Sequence, residues 1–390
     1  DKAKFDIQLS KSLKGIGAGL ESKDGEIRFT EIVPGGPAGN SKQLAINAIL
    51  LKVAQDGEAP VEVSGFTIEE VIALLRGPVG SKLTLSIKKP DGLITEVPLT
   101  RDLVVMSAGL ARSYVLEEES LGEKIGYIRL PRFYIDFSSE DGPRCARDIY
   151  QEVEKLKASQ VQGIIIDLRN NIGGSLRETL KMLGTFIEQG PLVQREAQDG
   201  SLRTLSDKDP SVQYDGELIV LVNKNSGSAS ELFSATLQDY DRAVIVGSES
   251  TFGKGTVQRM RNLDQTLAAD SSCFPLGNLK ITIGKFYRVS GASTQLKGVE
   301  PDIVLPDNNT FIPIGEKAQK YPLPWTEIAA QEYSQSVNTN PNLAKVVTRS
   351  KDRVQNNPQF QLVLENAKRY QRLKEETLVA LDYDKFTQNK

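Results

Sequence analysis

Asn225-Ser226-Gly227-Ser228-Ala229-Ser230-Glu231-Leu232-Phe233 places three serines between an apolar run and a helical pattern. A serine where a buried strand turns into a helix is a recurrent way to present a nucleophilic hydroxyl. Helix capping is the plainer job for any of the three. A nucleophile needs a base, and the chain has no histidine. That removes Ser-His-Asp and Cys-His chemistry within the chain and argues against zinc, so no metal is expected. The next base to consider lies in Thr251-Phe252-Gly253-Lys254-Gly255-Thr256-Val257-Gln258. A lysine between two glycines and behind an aromatic is not a typical surface lysine. To act as a base its pKa must fall from about 10.4 toward 7–8, or about 4 kcal/mol of differential desolvation. Lys254 is therefore the leading candidate to deprotonate one of the serines.

A third stretch, Arg169-Asn170-Asn171-Ile172-Gly173-Gly174, also follows an apolar run and precedes a helical pattern. Both strand–loop–helix units would aim backbone N–H groups at negative charge. Side by side, they could converge on one oxyanion, at about 2.7–4 kcal/mol per donor. A phosphate-binding loop at Gly253-Lys254-Gly255-Thr256 fails on spacing. That motif needs four residues between its glycines and Ser or Thr directly after Lys. Here five residues separate Gly247 from Gly253, and Gly255 follows Lys254.

The elements that must position these loops read as two patterns. Over the first hundred residues, short apolar runs alternate with turns. Strands are expected at 27–33, 49–53, 83–87 and 94–99, with a short amphipathic helix at 67–75 that Gly77-Pro78 stops. Pro90-Asp91-Gly92 marks a hairpin. From about Leu103 strands (125–130, 163–168, 218–222, 243–246) alternate with helices (148–158, 175–187, 229–238), which argues for an α/β layer. After Pro306 the chain turns polar and is read as helical, with helices at 343–354 and 358–378 broken near Asn356-Asn357-Pro358.

At 390 residues there is room for two or three domains. A net charge of −3 gives no field for nucleic acid or an anionic membrane. No apolar run of about 18 residues suggests a transmembrane helix. The chain starts at Asp1 rather than Met, so an upstream segment is expected to be missing from the numbering. Cys145 and Cys273 are either two buried thiols or one disulfide, and spacing does not choose.

Two resemblances sharpen this reading. The loop Gly15-Ile16-Gly17-Ala18, the turn PGGPA and the stretch TIEEVIALLRGPVGSKLTLSI resemble a PDZ domain of the bacterial protease type. Such domains bind a C-terminal carboxylate on loop amides while the peptide adds as a strand to a sheet edge. Gly15, Ile16, Gly17 and Ala18 would then be substrate-binding. Ala48 stands where these domains usually carry Asp. NSGSASELFSATLQDYDRAVIVGSESTFGKGTVQ, DLRNNIGGSLRE and KFYRVSGASTQLKGVEPDIVLP resemble the C-terminal processing (tail-specific) peptidases, a Ser-Lys serine protease family. The similarity covers nearly the whole chain and is nearest to the large periplasmic members.

The resemblance implies an α/β fold in three parts: a PDZ domain, β-rich with short helices, at 1–102; a crotonase/Clp-like protease core at 103–306; and a helical C-terminal region at 307–390. Carried across residue by residue, Ser228 is the nucleophile, Lys254 the general base and Gln258 the group that orients it. The amides of Ala229 and Gly173 form the oxyanion hole, with Gly174 not separable from Gly173. Glu231 and Thr251 support the site. Departures are Gly227 where Ala is common, Ile172 where Gly is common, and one extra residue before Thr251. The implied function is a serine endopeptidase acting on unfolded or tail-exposed proteins in the periplasm, with room for an adaptor protein. No cofactor, nucleic acid or membrane association is expected. The rival is a non-catalytic peptide-binding scaffold.

Overall fold

A computed structural model describes residues 2–118, 122–137, 139–266, 275–334, 342–375, 377–378 and 381–382. The chain divides into two compact units, one of Asp1–Leu110 with Tyr134–Pro143, the other of Ala111–Phe133 with Arg144–Lys390.

The first unit runs α1 (Lys2–Ser10), β1 (Ser12–Gly15), β2 (Ala18–Lys23), β3 (Glu26–Ile32), α2 (Pro37–Ser41), β4 (Ile49–Gln55), β5 (Val61–Glu62), α3 (Ile68–Leu75), β6 (Lys82–Lys88), β7 (Ile94–Thr100) and β8 (Asp102–Val105). An antiparallel sheet has the order β2-β3-β4-β6-β7, with β5 on β4, and β1 pairs β8 separately. Strand β6 buries Leu83, Leu85 and Ile87 and turns Lys82 and Lys88 to solvent, the two-residue period of a sheet packed on one face. Those residues meet Phe29, Val53 and Val97, with Val71 and Leu75 from α3. Helix α3 starts where the sequence puts a capping box: Thr67 N–H donates to Glu70 Oε2 at 2.8 Å, and Glu70 N–H to Thr67 Oγ1 at 3.3 Å.

The second unit runs β9 (Arg112–Glu118), β10 (Glu123–Arg129), α4 (Cys145–Ala158), β11 (Gly163–Asp167), α5 (Leu176–Leu183), β12 (Gly190–Ala197), β13 (Leu202–Asp207), β14 (Glu217–Val222), α6 (Ala229–Asp239), β15 (Val244–Gly247), β16 (Thr256–Asn262), α7 (Leu263–Thr266), β17 (Asn278–Tyr287), β18 (Ile303–Val304), α8 (Leu343–Asn356) and α9 (Pro358–Glu375). Its main sheet has the order β18-β15-β14-β11-β10-β9, with every pairing parallel except β9 to β10. The apolar runs of β11 and β14 lie side by side, Asp167 opposite Leu221. Their C-terminal ends therefore open at one edge, and the two loops that follow become neighbours. That is where parallel α/β sheets gather binding groups. A second, antiparallel sheet of order β13-β12-β17-β16 carries the chain that follows Lys254.

Two readings of the sequence need correction. Helix α5 stops at Leu183, not residue 187: Gly184 caps it, and the Thr185 carbonyl accepts from Gln213 and Tyr214 N–H. Residues 307–334 are not helical apart from a short turn at Glu316–Ala318. They run as an irregular strap over the second unit. Ser293 N–H donates to the Thr326 carbonyl, Ile328 N–H to Gly291 and Gln331 N–H to Val289, while Trp325 Nε1 donates to the Ser293 carbonyl at 2.8 Å. Pro313, Pro322 and Pro324 interrupt any helix here, and edge bonds to the core take up part of the backbone instead. Cys145 is buried, and its expected alternatives stay open because Cys273 lies outside the described residues.

Candidate active site

Burial separates the three serines. Ser226 and Ser230 are fully buried, whereas Ser228 is half-buried. Ser226 Oγ donates to the Leu168 carbonyl at 2.8 Å and accepts from Asn223 N–H at 2.9 Å. Ser230 Oγ donates to the Asn171 carbonyl at 2.7 Å. Both hydroxyls tie loops together. Ser228 sits at the N-cap of α6 with φ 57 and ψ −110. A side chain at such a backbone angle costs about 1–3 kcal/mol and persists only where surroundings impose it. Two bonds impose it here: Ser228 N–H donates to Glu231 Oε2 at 2.6 Å, and its carbonyl accepts from Leu232 N–H at 2.9 Å.

Glu231 is the hub. Its Oε2 accepts from the N–H of both Ser228 (2.6 Å) and Lys254 (2.9 Å). One oxygen thus holds the serine loop and the lysine loop within two hydrogen-bond lengths of each other. Its Oε1 accepts from Thr251 Oγ1 and Gly253 N–H, each at 2.6 Å. Thr251 Oγ1 in turn accepts from Val299 N–H at 2.8 Å. Complete burial pushes the Glu231 carboxyl up to about 7, against the four donors that hold it down. Phe252 N–H adds a further tie, to the Ser226 carbonyl at 2.9 Å.

Lys254 is half-buried, and its Nζ donates to Gln258 Oε1 at 2.8 Å. Gln258 begins the regular part of the β16–β17 ladder. Burial holds the Lys254 amine below its ordinary value. Lys280 and Arg132 push the same way, while Glu316 and Glu231 oppose them. A lysine so placed is a better base near neutral pH than a free one.

The Gly-Gly loop meets the serine from the other side. A Cβ on Gly173, where φ is +97, would lie 2.6 Å from the Gly227 carbonyl oxygen, 2.9 Å from Ala229 N and 3.0 Å from Ser228 Cβ. Only glycine allows this approach. Asn171, fully buried, fixes the loop. Its carbonyl accepts from Gly227 N–H at 3.0 Å, and its Nδ2 donates to the Leu130 carbonyl at 2.9 Å. Its Oδ1 accepts from Gly173 N–H at 2.9 Å. The Gly173 amide is therefore occupied. Gly174 N–H has no acceptor among the described residues, nor has Ala229 N–H at the first turn of α6. Gly174 itself is held where a Cβ would meet the Phe133 carbonyl oxygen at 2.1 Å. Ile172 stands 55% exposed beside this loop.

The structure thus brings Ser228, Ala229, Glu231, Thr251, Lys254, Gln258 and Gly173 into one cluster. Asn171, Lys280, Arg132 and Glu316 escaped the sequence reading. An asparagine in a turn and a lysine on a strand carry no signal by themselves. In the first unit, Gly15 ends β1 and Ala18 opens β2, with Gly17 at φ +76. The carbonyls of Ile16 and Gly17 accept from Ala38 and Val33 N–H at 2.8 and 2.9 Å. The N–H groups of Ile16 and Gly17 have no acceptor among the described residues. The Ile16 side chain is in the core.

Residues 124–305 match the family model of Peptidase family S41, and residues 310–390 match that of the C-terminal domain of tail specific protease. The Tail-specific protease of Haemophilus influenzae is 35% identical over 383 residues, covering 97% of this chain and 53% of that protein. The Carboxy-terminal processing protease CtpA of Bacillus subtilis is 29% identical over 307 residues, 78% of this chain and 59% of its own. A solved structure of the PDZ domain of Carboxy-Terminal Protease from Vibrio cholerae, in complex with peptide, is 38% identical across 24% of this chain and 97% of that one, with a TM-score of 0.23. The chain spans little more than half the length of either curated relative. Through residues 124–305 it belongs to peptidase family S41.

Proposed function

We propose that this chain is a serine endopeptidase working by a Ser-Lys mechanism. Ser228 Oγ attacks the scissile carbonyl carbon while its proton passes to neutral Lys254 Nζ. The tetrahedral oxyanion takes hydrogen bonds from Ala229 N–H and a Gly-Gly amide. Gly174 suits that role in this conformation, since Gly173 N–H is already bonded to Asn171. The C–N bond breaks, the leaving amine takes the proton from Lys254, and an ester to Ser228 remains. Water, losing its proton to Lys254, then releases the acid and regenerates the serine. The observation that carries this reading is Glu231, whose buried carboxylate binds the backbone of both Ser228 and Lys254.

The first unit supplies tail recognition as a PDZ domain. Strand β2 ends its sheet, so its outer edge is open among the described residues. The N–H groups of Ile16 and Gly17 lie at its start, where a peptide C-terminus adding to that edge would place its carboxylate. Half-buried Ala18, Leu20 and Ile68 offer an apolar floor. The segments 1–102, 103–306 and 307–390 then act as tail reader, protease and appendage, on unfolded or tail-exposed proteins in the periplasm. The test is cleavage of an unfolded protein with a free apolar C-terminus, followed by mass spectrometry beside Ser228→Ala. Fragments should require Ser228 and diminish when the tail is made charged. An uncut substrate that still binds would favour the scaffold reading.

A further inference from the structure

Gln258 faces Thr282 across the β16–β17 ladder, and Met260 faces Lys280. Residues directly opposite, and residues two apart along a strand, share a face. Gln258 and Lys280 are therefore diagonal neighbours on one face of the sheet, about 7–8 Å apart at the backbone. Gln258 Oε1 is where the Lys254 ammonium or amine is held, at 2.8 Å. The ladder thus sets a second lysine diagonal to the residue that holds the first.

We propose that Lys280 is a positioning residue for Lys254: its charge, fixed diagonally to Gln258, keeps the amine that Gln258 holds in its proton-accepting form. This rests on Lys254 being the general base. Lys254 is faced by Gln258 and Lys280 from the second sheet, by Glu231 from α6, by Glu316 from the turn at Glu316–Ala318, and by Arg132 just after β10. Glu231 and Glu316 favour the protonated lysine, while Arg132 and Lys280 oppose it. Arg132 has a buried Nε without a hydrogen-bond partner among the described residues, so its charge is not locally neutralised through that atom. Lys280 is exposed, so its influence should weaken as salt screens it.

The test reads the charge on Lys254 without requiring turnover. The full chain is labelled with trace acetic anhydride across pH 6–11, and the peptide bearing Lys254 is quantified by mass spectrometry. Wild type should show a midpoint below that of an exposed lysine. Lys280→Met should lower the labelling rate of Lys254 about threefold at pH 7 and low salt, the order expected for one unit charge removed at about 7 Å in water. Lys280→Arg, which keeps the charge, should label as wild type, and 0.5 M salt should erase most of the difference. A structural role for Lys280 would not reproduce that salt dependence. If Lys280→Met leaves the Lys254 profile unchanged, the proposal falls while Lys254 as base stands. If wild-type Lys254 itself labels as an ordinary lysine, the Ser-Lys reading fails with it.

Discussion

Ser228 and Lys254 are each held in a state the free residue would not choose. Ser228 sits at φ 57, and Lys254 is kept less basic by burial and two cations. In the proposed mechanism the neutral amine is the working form, so kcat/KM should rise with pH and level off above the Lys254 pKa, below the ordinary lysine value of 10.5. Lys254→Arg should be inactive from pH 6 to 10 because a guanidinium stays protonated. Stopped assays over that range on a peptide substrate check both; a flat wild-type profile or an active arginine variant would remove Lys254 as base. The candidate pair is legible from residue types. Without histidine, a glycine-flanked lysine near a serine-rich turn stands out. Residue types alone leave the serine open and only the family resemblance points to Ser228; burial and backbone angle separate the three, and neither is a local property. The same holds for Gly173 and Gly174, which the sequence leaves unseparated: the Gly173 amide is bonded to Asn171 Oδ1.

The loops meet because two elements are neighbours. Strands β11 and β14 pair in parallel, and Glu231 on the first turn of α6 reaches from the serine loop to the lysine loop. Glu231→Gln cannot replace it, since an amide nitrogen would face N–H donors. At least one of them would lose its acceptor, at about 1–3 kcal/mol. Urea denaturation should show that loss, with kcat falling alongside. The pH sign also follows. Folding raises this carboxyl from 4.5 to about 7, so its contribution is full below about 4.5 and is lost as pH rises through about 7. The variant should lose that part of the pH dependence. Gly173→Ala tests the other contact. Its Cβ would press the Gly227 carbonyl oxygen at 2.6 Å, at an unfavourable φ, and shift the serine turn. We expect about 1–3 kcal/mol of destabilisation and at least about a 100-fold loss of kcat/KM. The apolar runs of β11 and β14 made this layer readable. The β12, β13 and β16 strands were missed, and β17 was touched only at its end through the resemblance of KFYRV: charged residues interrupt them, and their pairing joins residues such as Arg195 and Phe286, far apart in sequence.

At the scale of the whole chain, the proposed reading assigns two tasks, tail capture and cleavage, to two units. The account therefore predicts separability: Ser228→Ala, which keeps its backbone bonds to Glu231 and Leu232, should bind an apolar C-terminal peptide as tightly as wild type while cutting nothing. Fluorescence anisotropy with a labelled peptide checks this; lost binding would mean that the two tasks share residues. Two patterns were readable because their periodicities differ, two-residue alternation first and strand–helix alternation after; that Tyr134–Pro143 groups with the first unit was not, since no local pattern marks it. The strap at 307–334 was misread from its polar composition, although Pro313, Gly315, Pro322 and Pro324 break any helix there; its bonds to Gly291, Ser293 and Val289 show where it runs.

The most direct measurement is to trap the intermediate. The chain is mixed with an activated peptide ester, quenched in acid within seconds and mapped by mass spectrometry. An acyl group on Ser228, absent in Lys254→Arg, is the expected result. An adduct on Ser226 or Ser230, or one on Ser228 that forms as fast in Lys254→Arg, would contradict the Ser-Lys assignment.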